Sequence, residues 1–452
     1  MNRIVTALGV SALALMAGWG VAAPSASQAV PVTPIQHVVV LYLENHSFDN
    51  VLGYWCDQTR RCRGMPASVA LEGGTVATPG VTPDTVPYVA HSVGAQKTAI
   101  DGGRMDGWGQ LASCKAPAYK CISGYEPFVI PNFTALASRF AISDETFSMQ
   151  NSPSWGGHLY AVMASQDGFT GAIPVTAPGV TPGSGWGCDS NRVAAWRDPA
   201  GGTENIPSCV PDFASGLPNG GAFEPTPASY APTIMDRLQA AHRSWAIYGA
   251  TRGEIGYIWD PCASMAECLH TQQGHIRESA QFVTDARVGT LPTFSLVVPG
   301  GTTYPDSEHN KSSMTAGDNW VGQIASAVMN GPRWISTALF ITYDDCGCFY
   351  DQAPPGRNPD GTAQGPRVPL LIVSPYARPG YTDSTPTTFA GILAYTEHAF
   401  GLAPLSLNDK RAYPFTNAFN YNQAPLAPVR MVERPLPASA RHLPPPEPNN
   451  PT

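Results

Sequence analysis

The sequence predicts an α/β protein: a doubly wound α/β/α sandwich on a mostly parallel central sheet, with long disulfide-clamped loops. Three observations predict it. Two runs, one from Val38 to Leu43 and one from Thr337 to Tyr343, are rich in apolar and β-branched residues, as strands buried on both faces are. Shorter strand-like runs alternate with segments of helical period through the second half of the chain. The composition, with 44 Gly, 45 Pro and only 13% charged residues, disfavours a helical bundle and suits a sheet framework with long ordered loops.

The elements follow in order. Residues 1–29 read as a signal peptide: Arg3 supplies a positive start, an apolar stretch runs from Ile4 to about Ala23, and small residues offer cleavage after Ala23 or Ala29. The expected location is therefore the periplasm or the exterior, with no transmembrane anchor after cleavage, since no other stretch is long and apolar enough to span a bilayer. Residues 30–432 form a single domain, in which 166–228 is read as an insertion loop; 433–452 is a Pro-rich tail expected to be disordered. After the first strand, residues 50–130 read as loop. A short helix is expected over Phe133–Phe140, then an edge strand at Ala141–Ser143 and a helix over Leu159–Ser165. A helix over Thr233–His242 leads to a strand at Ser244–Tyr248, with another strand at Leu291–Val298. A helix over Asn319–Asn330, stopped by Gly331-Pro332, precedes the Thr337–Tyr343 strand. A strand over Val368–Val373 and a helix over Phe389–Phe400 complete the series.

Ten cysteines fall in near neighbours: Cys56/Cys62, Cys114/Cys121, Cys188/Cys209, Cys262/Cys268 and Cys346/Cys348. In an exported chain that pattern suggests bridges clamping local loops, with Cys346-Gly347-Cys348 the doubtful pair because so small a ring is strained. The net charge of -8 and the lack of any basic run exclude nucleic acid as a structural partner. The oligomeric state is not written in the sequence.

Chemistry concentrates at strand ends, where open α/β sheets bind ligands. The first strand ends in Glu44-Asn45 and the strand from Thr337 ends in Asp344-Asp345. Such hard oxygen donors suit one divalent metal, which would also relieve the repulsion among crowded carboxylates. Ser154 precedes a helix, where free N–H groups favour a phosphate or alkoxide, and a metal can activate its hydroxyl. A plain helix N-cap is the commoner use of such a serine. His91 and His309, in polar loops, can donate to oxygens and move protons. His158 reads as a core or supporting residue.

With these residues in place, the chain resembles the bacterial phosphoesterase family of phospholipases C and certain periplasmic acid phosphatases, within the alkaline-phosphatase-like superfamily. The resemblance rests on Glu44-Asn45-His46-Ser47-Phe48-Asp49 within 35–53, on the segment Ser152 to Tyr160, on Leu291-Pro292 and on 306–309. It continues through 329–355, Arg367-Val368-Pro369, Ser374-Pro375 and the helix end Glu397–Leu402. It implies an alkaline-phosphatase-like fold and a divalent metal held by Glu44, Asn45, Ser154, Asp344 and Asp345. Ser154 would be the nucleophile, passing through a phosphoserine, with His91 and His309 on phosphoryl oxygens. The implied substrate is a phosphomonoester or a phospholipid-type ester, and the short stretch after the catalytic region points to the compact acid-phosphatase-like members. Four departures stand out: Ser154-Trp155-Gly156-Gly157 where the family often has Thr and Pro-Asn, Asp345 where it has Glu, Cys346-Gly347-Cys348 for His-Gly-Gly, and Gln352 for His. A sulfatase does not fit Asn151-Ser152-Pro153-Ser154-Trp155, and a serine acyl hydrolase would need a Gly-x-Ser-x-Gly elbow, which is missing. The alternative from another class is a non-catalytic secreted binding protein with a structural metal site and exposed Trp108, Trp155 and Trp186 for glycan or lipid.

Overall fold

Strand β1, His37–Leu43, forms the middle of the molecule, and from Val38 onward every residue in it is buried. The computed structural model describes residues 33–212, 226–300 and 307–442, and Thr33–Thr452 form one unit. The leader read over 1–29 lies outside the described residues, as do 213–225 of the expected insertion, Asp306 and the last ten residues of the tail.

The other strands of the main sheet are β2 (Ala141–Ser143), β3 (Trp245–Gly249), β4 (Ile276–Glu278), β5 (Phe294–Val297), β6 (Thr337–Tyr343), β7 (Leu370–Val373) and β8 (Thr382–Asp383). They lie in the order β4-β3-β5-β1-β6-β7-β2-β8. All run parallel except β7, which pairs antiparallel with β6 and with β2. The register places the chemistry. β1 and β6 pair in step, His37 opposite Thr337 and Leu43 opposite Tyr343, so Glu44 and Asp344 leave the sheet side by side. Because β7 runs the other way, with Thr342 opposite Leu370, its leading residues Arg367–Pro369 arrive at that same edge.

The helices are α1 (Phe48–Thr59), α2 (Val93–Ile100), α3 (Pro131–Arg139), α4 (Ser154–Met163), α5 (Ile234–Ala240), α6 (Ala266–Thr271), α7 (Gln281–Val288), α8 (Met314–Met329), α9 (Ala390–Phe400) and α10 (Leu407–Arg411). α8 packs on α3 and α7, while α4 packs on α5 and α9, which makes the two outer layers of the sandwich. In α8 the buried Val321, Ile324, Ala325 and Val328 form one stripe at helical spacing, and the Ser313 hydroxyl caps the start by accepting from the Ala316 N–H.

Several elements differ from expectation. Residues 50–130 are not all loop, since they hold most of α1 and all of α2. In α1 the apolar residues Phe48, Val51, Leu52 and Trp55 do follow helical spacing. Gly53 and a cysteine bridged just beyond the helix, Cys56 to Cys62, blur the pattern. β2 is covered by β8 and is not the edge. The 166–228 segment carries its own three-stranded antiparallel sheet, over Val175–Thr176, Arg192–Arg197 and Thr203–Pro207. The tail begins ordered: the Val432 N–H donates to Asn132 Oδ1 at 2.7 Å and the Arg434 N–H to Asn319 Oδ1 at 2.9 Å. Four cysteine pairs are bridged, whereas Cys346 and Cys348 are free thiols and buried. Trp108, Trp155 and Trp186 are all buried, which removes the exposed aromatic surface that the binding-protein alternative invoked.

A buried ion cluster ties the strand edge together. Arg367 donates through Nη2 to Asp49 Oδ1 at 2.9 Å, through Nε to Asp351 Oδ1 at 3.1 Å and through Nη1 to the Asp144 carbonyl at 2.8 Å. Its guanidinium lies 4.2 Å from the centre of the Phe48 ring. Burial and the neighbouring Asp351 raise the Asp49 carboxyl to about 7, against the pull of Arg367. Gln352 completes the cluster: its backbone N–H and its amide both donate to Asp49, at 2.9 and 3.1 Å. Replacing Arg367 by Met would leave two buried carboxylates with no cation, so Arg367→Met should destabilise the fold by about 3–5 kcal/mol. Urea denaturation measures this, and a loss below about 1 kcal/mol would contradict a structural role for the cluster.

A second acid pair lies on the outer layer. Burial, reinforced by Asp409, raises the Glu397 carboxyl to about 10. Asp409 meanwhile accepts the Leu405 and Ser406 N–H groups at the start of α10. Folded Glu397 thus keeps its proton where the unfolded chain, with an ordinary value of 4.5, releases it. Its contribution to stability is therefore lost as pH rises from about 4.5 to about 10. Glu397→Gln, which cannot ionise, should gain stability relative to the parent as pH rises from 5 to 8, and denaturation midpoints at the two pH values test the sign.

Candidate active site

The site is built where β1 and β6 end. Past Leu43 the chain turns sharply at Asn45, a left-handed residue (φ 65°), which asparagine tolerates. The Asn45 N–H donates to Asp344 Oδ1 at 3.0 Å, and the Asp344 N–H donates back to the Leu43 carbonyl at 3.0 Å. Glu44, Asn45, Asp344 and Asp345 are all buried, Asp344 at 1% exposure and the other three at 0%.

Ser154 is the first residue of α4, with Pro153 at the cap position. It is not the helix cap, the commoner role for a serine there. Its hydroxyl instead donates to Asn45 Oδ1 at 3.2 Å. Gly157, one turn on, sits so close that a Cβ there would lie 3.0 Å from the Asp344 carbonyl. Glycine there lets the first turn of α4 rest directly on the end of β6. The Gly156 and Gly157 N–H groups donate to the Pro153 carbonyl, and the positive end of the helix dipole there favours negative charge.

His158, also on α4, places Nε2 2.8 Å from Glu44 Oε1. Glu44, His158 and Asp344 offer ligand atoms within 4.8 Å of one another. Burial first, and Asp344 second, raise the Glu44 carboxyl well above its ordinary range. The same two causes raise Asp345. Burial also lowers His158 to about 4, so it meets Glu44 as a neutral ring. Buried carboxylates crowded together are what a divalent ion would stabilise, and the oxygen donors fit one.

The segment after Asp345 explains two departures. The Gly347 N–H donates to Asp345 Oδ1 at 2.6 Å, so the Cys346-Gly347-Cys348 turn orients the shorter acid through its backbone. A Cβ at Gly347 would lie 2.2 Å from the Asn45 carbonyl, and its φ is 53°, so only glycine fits there. Gln352 belongs to the Arg367 cluster through Asp49 and donates to the Gly64 carbonyl at 2.8 Å.

His91 and His309 form a pair, ring centres 6.1 Å apart, both buried. His91 Nδ1 is 2.9 Å from the Val89 carbonyl, and its Nε2 is buried without a hydrogen-bond partner. Burial lowers His91, with Asp344 pulling the other way; burial, with His91 adding to it, lowers His309 to about 3. The field of Asp344 at His91 ties the pair to the carboxylates.

Three supporting residues were not singled out from the sequence. His46 bridges the Asn50 amide oxygen (2.7 Å) and the Glu308 carbonyl (2.9 Å), which joins the strand end to the loop of His309. The His46/Asn50 spacing across a helix start was a usable signal. Gln96, on α2, donates to the carbonyls of His91 (3.0 Å) and Ser152 (2.9 Å), so one amide links the histidine loop to the serine loop. Glu308 accepts from the Tyr343 hydroxyl, and burial raises its carboxyl to about 8. Nothing local marked Gln96 or Glu308.

Among known proteins, the model of the Phosphoesterase family matches residues 35–403. Non-specific phospholipase C1 of Arabidopsis thaliana is 26% identical over 385 residues, 77% of this chain and 62% of that protein. Phospholipase C A of Mycobacterium tuberculosis (strain ATCC 25618 / H37Rv) is 24% identical over 466 residues, 91% of this chain and 82% of that one. The chain thus spans under two thirds of the length of that plant relative. Among solved structures, a protein in the alkaline phosphatase superfamily from Vibrio parahaemolyticus is similar at a TM-score of 0.37 and 12% identity, covering 84% of this chain and 70% of that chain. On the strength of the family match over most of its length, the chain belongs to the Phosphoesterase family.

Proposed function

We propose that the chain is an exported, metal-dependent phosphoesterase that hydrolyses phosphoric esters through a phosphoserine on Ser154. The observation that carries this reading is the Ser154 hydroxyl at the first position of α4, bonded to Asn45 Oδ1 beside Glu44 and Asp344. Family membership and the phospholipase C relatives support the substrate class, a phosphomonoester or a phospholipid-type ester. The four bridges support export to an oxidising compartment, periplasmic or secreted, and no helix among the described residues is long and apolar enough to cross a membrane.

Glu44, Asn45, Asp344 and Asp345, with the Ser154 oxygen, would hold one divalent ion. When bound, such an ion lowers the pKa of a coordinated hydroxyl and offsets negative charge on a phosphoryl group. The rest falls to the chain. Ser154 Oγ attacks phosphorus as the bond to the leaving alcohol breaks, and the phosphoryl group is left on the serine. The N-terminal end of α4 turns the positive end of its dipole to that group. His91 and His309 face it from the other loop. A phosphoryl dianion beside them favours their protonated form against burial, and from that form one can protonate the leaving alcohol. Water then cleaves the phosphoserine and restores the hydroxyl.

Ser154→Ala should lower turnover of p-nitrophenyl phosphate, p-nitrophenylphosphorylcholine or phosphatidylcholine at least about a thousandfold. In acid-quenched parent protein, mass spectrometry should find phosphate on Ser154. No turnover of any of the three esters by the parent would sink the reading, and turnover indifferent to Ser154→Ala would sink the nucleophile.

A divalent ion should raise the melting temperature. At a hundredfold excess over its dissociation constant the gain is about 2.7 kcal/mol. Chelation should remove both that gain and the activity, and Asp345→Asn should blunt both. A melting temperature unmoved by every divalent ion tried would contradict the metal.

A further inference from the structure

Two cavities lie beside the serine loop and share walls. One, of about 490 Å³, is lined by the apolar Tyr88, Ala90, Val93, Pro153, Ala172 and Ile173, with His91 at one side. Pro153 directly precedes Ser154 and His91 belongs to the histidine pair, so this cavity borders the reacting centre. The other, of about 610 Å³, is polar, and Lys97, Arg197 and Arg357 line it together with Asp360. Val93 lines both cavities. The segments 150–153 and 170–173 also continue from one to the other, with Gln150, Asn151 and Thr170 in the polar cavity and Pro153, Ala172 and Ile173 in the apolar one. Leading away from Ser154, the path is therefore apolar and then cationic.

The charge in the outer cavity is unusual for this molecule. The chain as a whole carries -8, yet three of its 26 Lys and Arg residues meet here. Among the described residues none of the three joins an ion pair. The single acid in the wall is already engaged: Asp360 Oδ1 accepts from the Thr362 hydroxyl and Oδ2 from the Asn408 amide at 2.9 Å. Arg357 spends one nitrogen on the Gly361 carbonyl at 2.8 Å and keeps the rest of its donors. Three like charges around a concave wall focus a positive potential, and an anion is the group that relieves it.

We infer that this outer cavity is a second anion subsite. Resting on the phosphoesterase reading, it makes the preferred substrate an ester whose leaving alcohol has an apolar stretch followed by a second anionic group such as a carboxylate, sulfate or phosphate. The reacting phosphoryl group sits at Ser154, the apolar stretch fills the cavity beside His91, and the remote anion meets Lys97, Arg197 and Arg357. Binding energy from that remote anion is available to orient the ester at the serine.

The test compares hexyl phosphate with its ω-carboxy analogue by phosphate release. The parent should favour the carboxy ester in kcat/KM by roughly tenfold at low salt, as expected for a few exposed charge contacts, and the preference should shrink as salt screens them. The combined variant Lys97→Gln, Arg197→Gln, Arg357→Gln should lose that preference, with hexyl phosphate turnover unchanged within about twofold. All three side chains are exposed, so the variant should fold, and an unchanged melting temperature checks this. Equal kcat/KM for the two esters in the parent, or an equal fall for both in the variant, would overturn the subsite and leave the phosphoesterase reading intact. No hydrolysis of either hexyl ester or of the three esters assayed above would overturn both.

Discussion

The structure depends on one electrostatic constraint. Glu44, Asp344 and Asp345 stand together at the end of two paired strands, almost wholly out of water, and burial with the field of Asp344 raises both Glu44 and Asp345. Leaving such groups ionised in a low-dielectric interior is costly, and burial raises both Glu44 and Asp345 above their ordinary ranges. The in-step pairing of β1 and β6 imposes the crowding. A one-residue slip in that register would turn Leu43 and Tyr343 to the opposite face and separate the acids. The most hydrophobic part of the chain thereby holds its most polar feature in place.

What surrounds that edge reads as a means of keeping it rigid. Arg367 comes in just ahead of the antiparallel strand and spends its donors on Asp49, Asp351 and a carbonyl. It anchors the turn after Asn45 from behind. Gln352 does the same for Asp49, a role that a neutral amide fills with two hydrogen bonds. The Cys346-Gly347-Cys348 turn gives Asp345 a backbone donor rather than a charged one. Departures that look in sequence like losses therefore have partners in the fold. The free thiols sit buried in the satellite core around Met65, Trp108 and Phe349.

The sequence made the strands and the acids legible for a single reason. A strand buried on both faces has to be apolar throughout, so where its apolar run stops, at Glu44 and at Asp344, the end of the strand is visible. β6 begins and ends at the residues expected. The Ser154–Asn45 contact was foreseeable only as proximity at one sheet edge. The antiparallel direction of β7 was not legible, because Leu370–Val373 reads the same in either direction. α1 was missed because its four apolar residues share the helix with Gly53, Cys56 and polar residues. The small sheet over 175–207 was missed because its strands are short and partly exposed, and little burial drives a period-two pattern. Gln96 and Glu308 act through buried contacts with distant segments, and no spacing in the chain records such contacts.

The acids and the histidines of the site are shifted in opposite directions by the same cause. Burial raises Glu44 and Asp345 towards their neutral acids, and it lowers His91 and His309 towards their neutral bases. Burial thus favours the uncharged form of each of these four groups, which eases their place beside one apolar strand. On the reading proposed above, the two ligands carry opposite charges. A divalent ion would favour the ionised forms of Glu44 and Asp345, and a phosphoryl dianion near His91 and His309 would draw protons to the rings. Each ligand makes the charge brought by the other less costly to bury. The field of Asp344, already felt at His91, couples the two halves. Metal and substrate should accordingly bind with positive cooperativity, a property that follows from burial and distance rather than from any moving part.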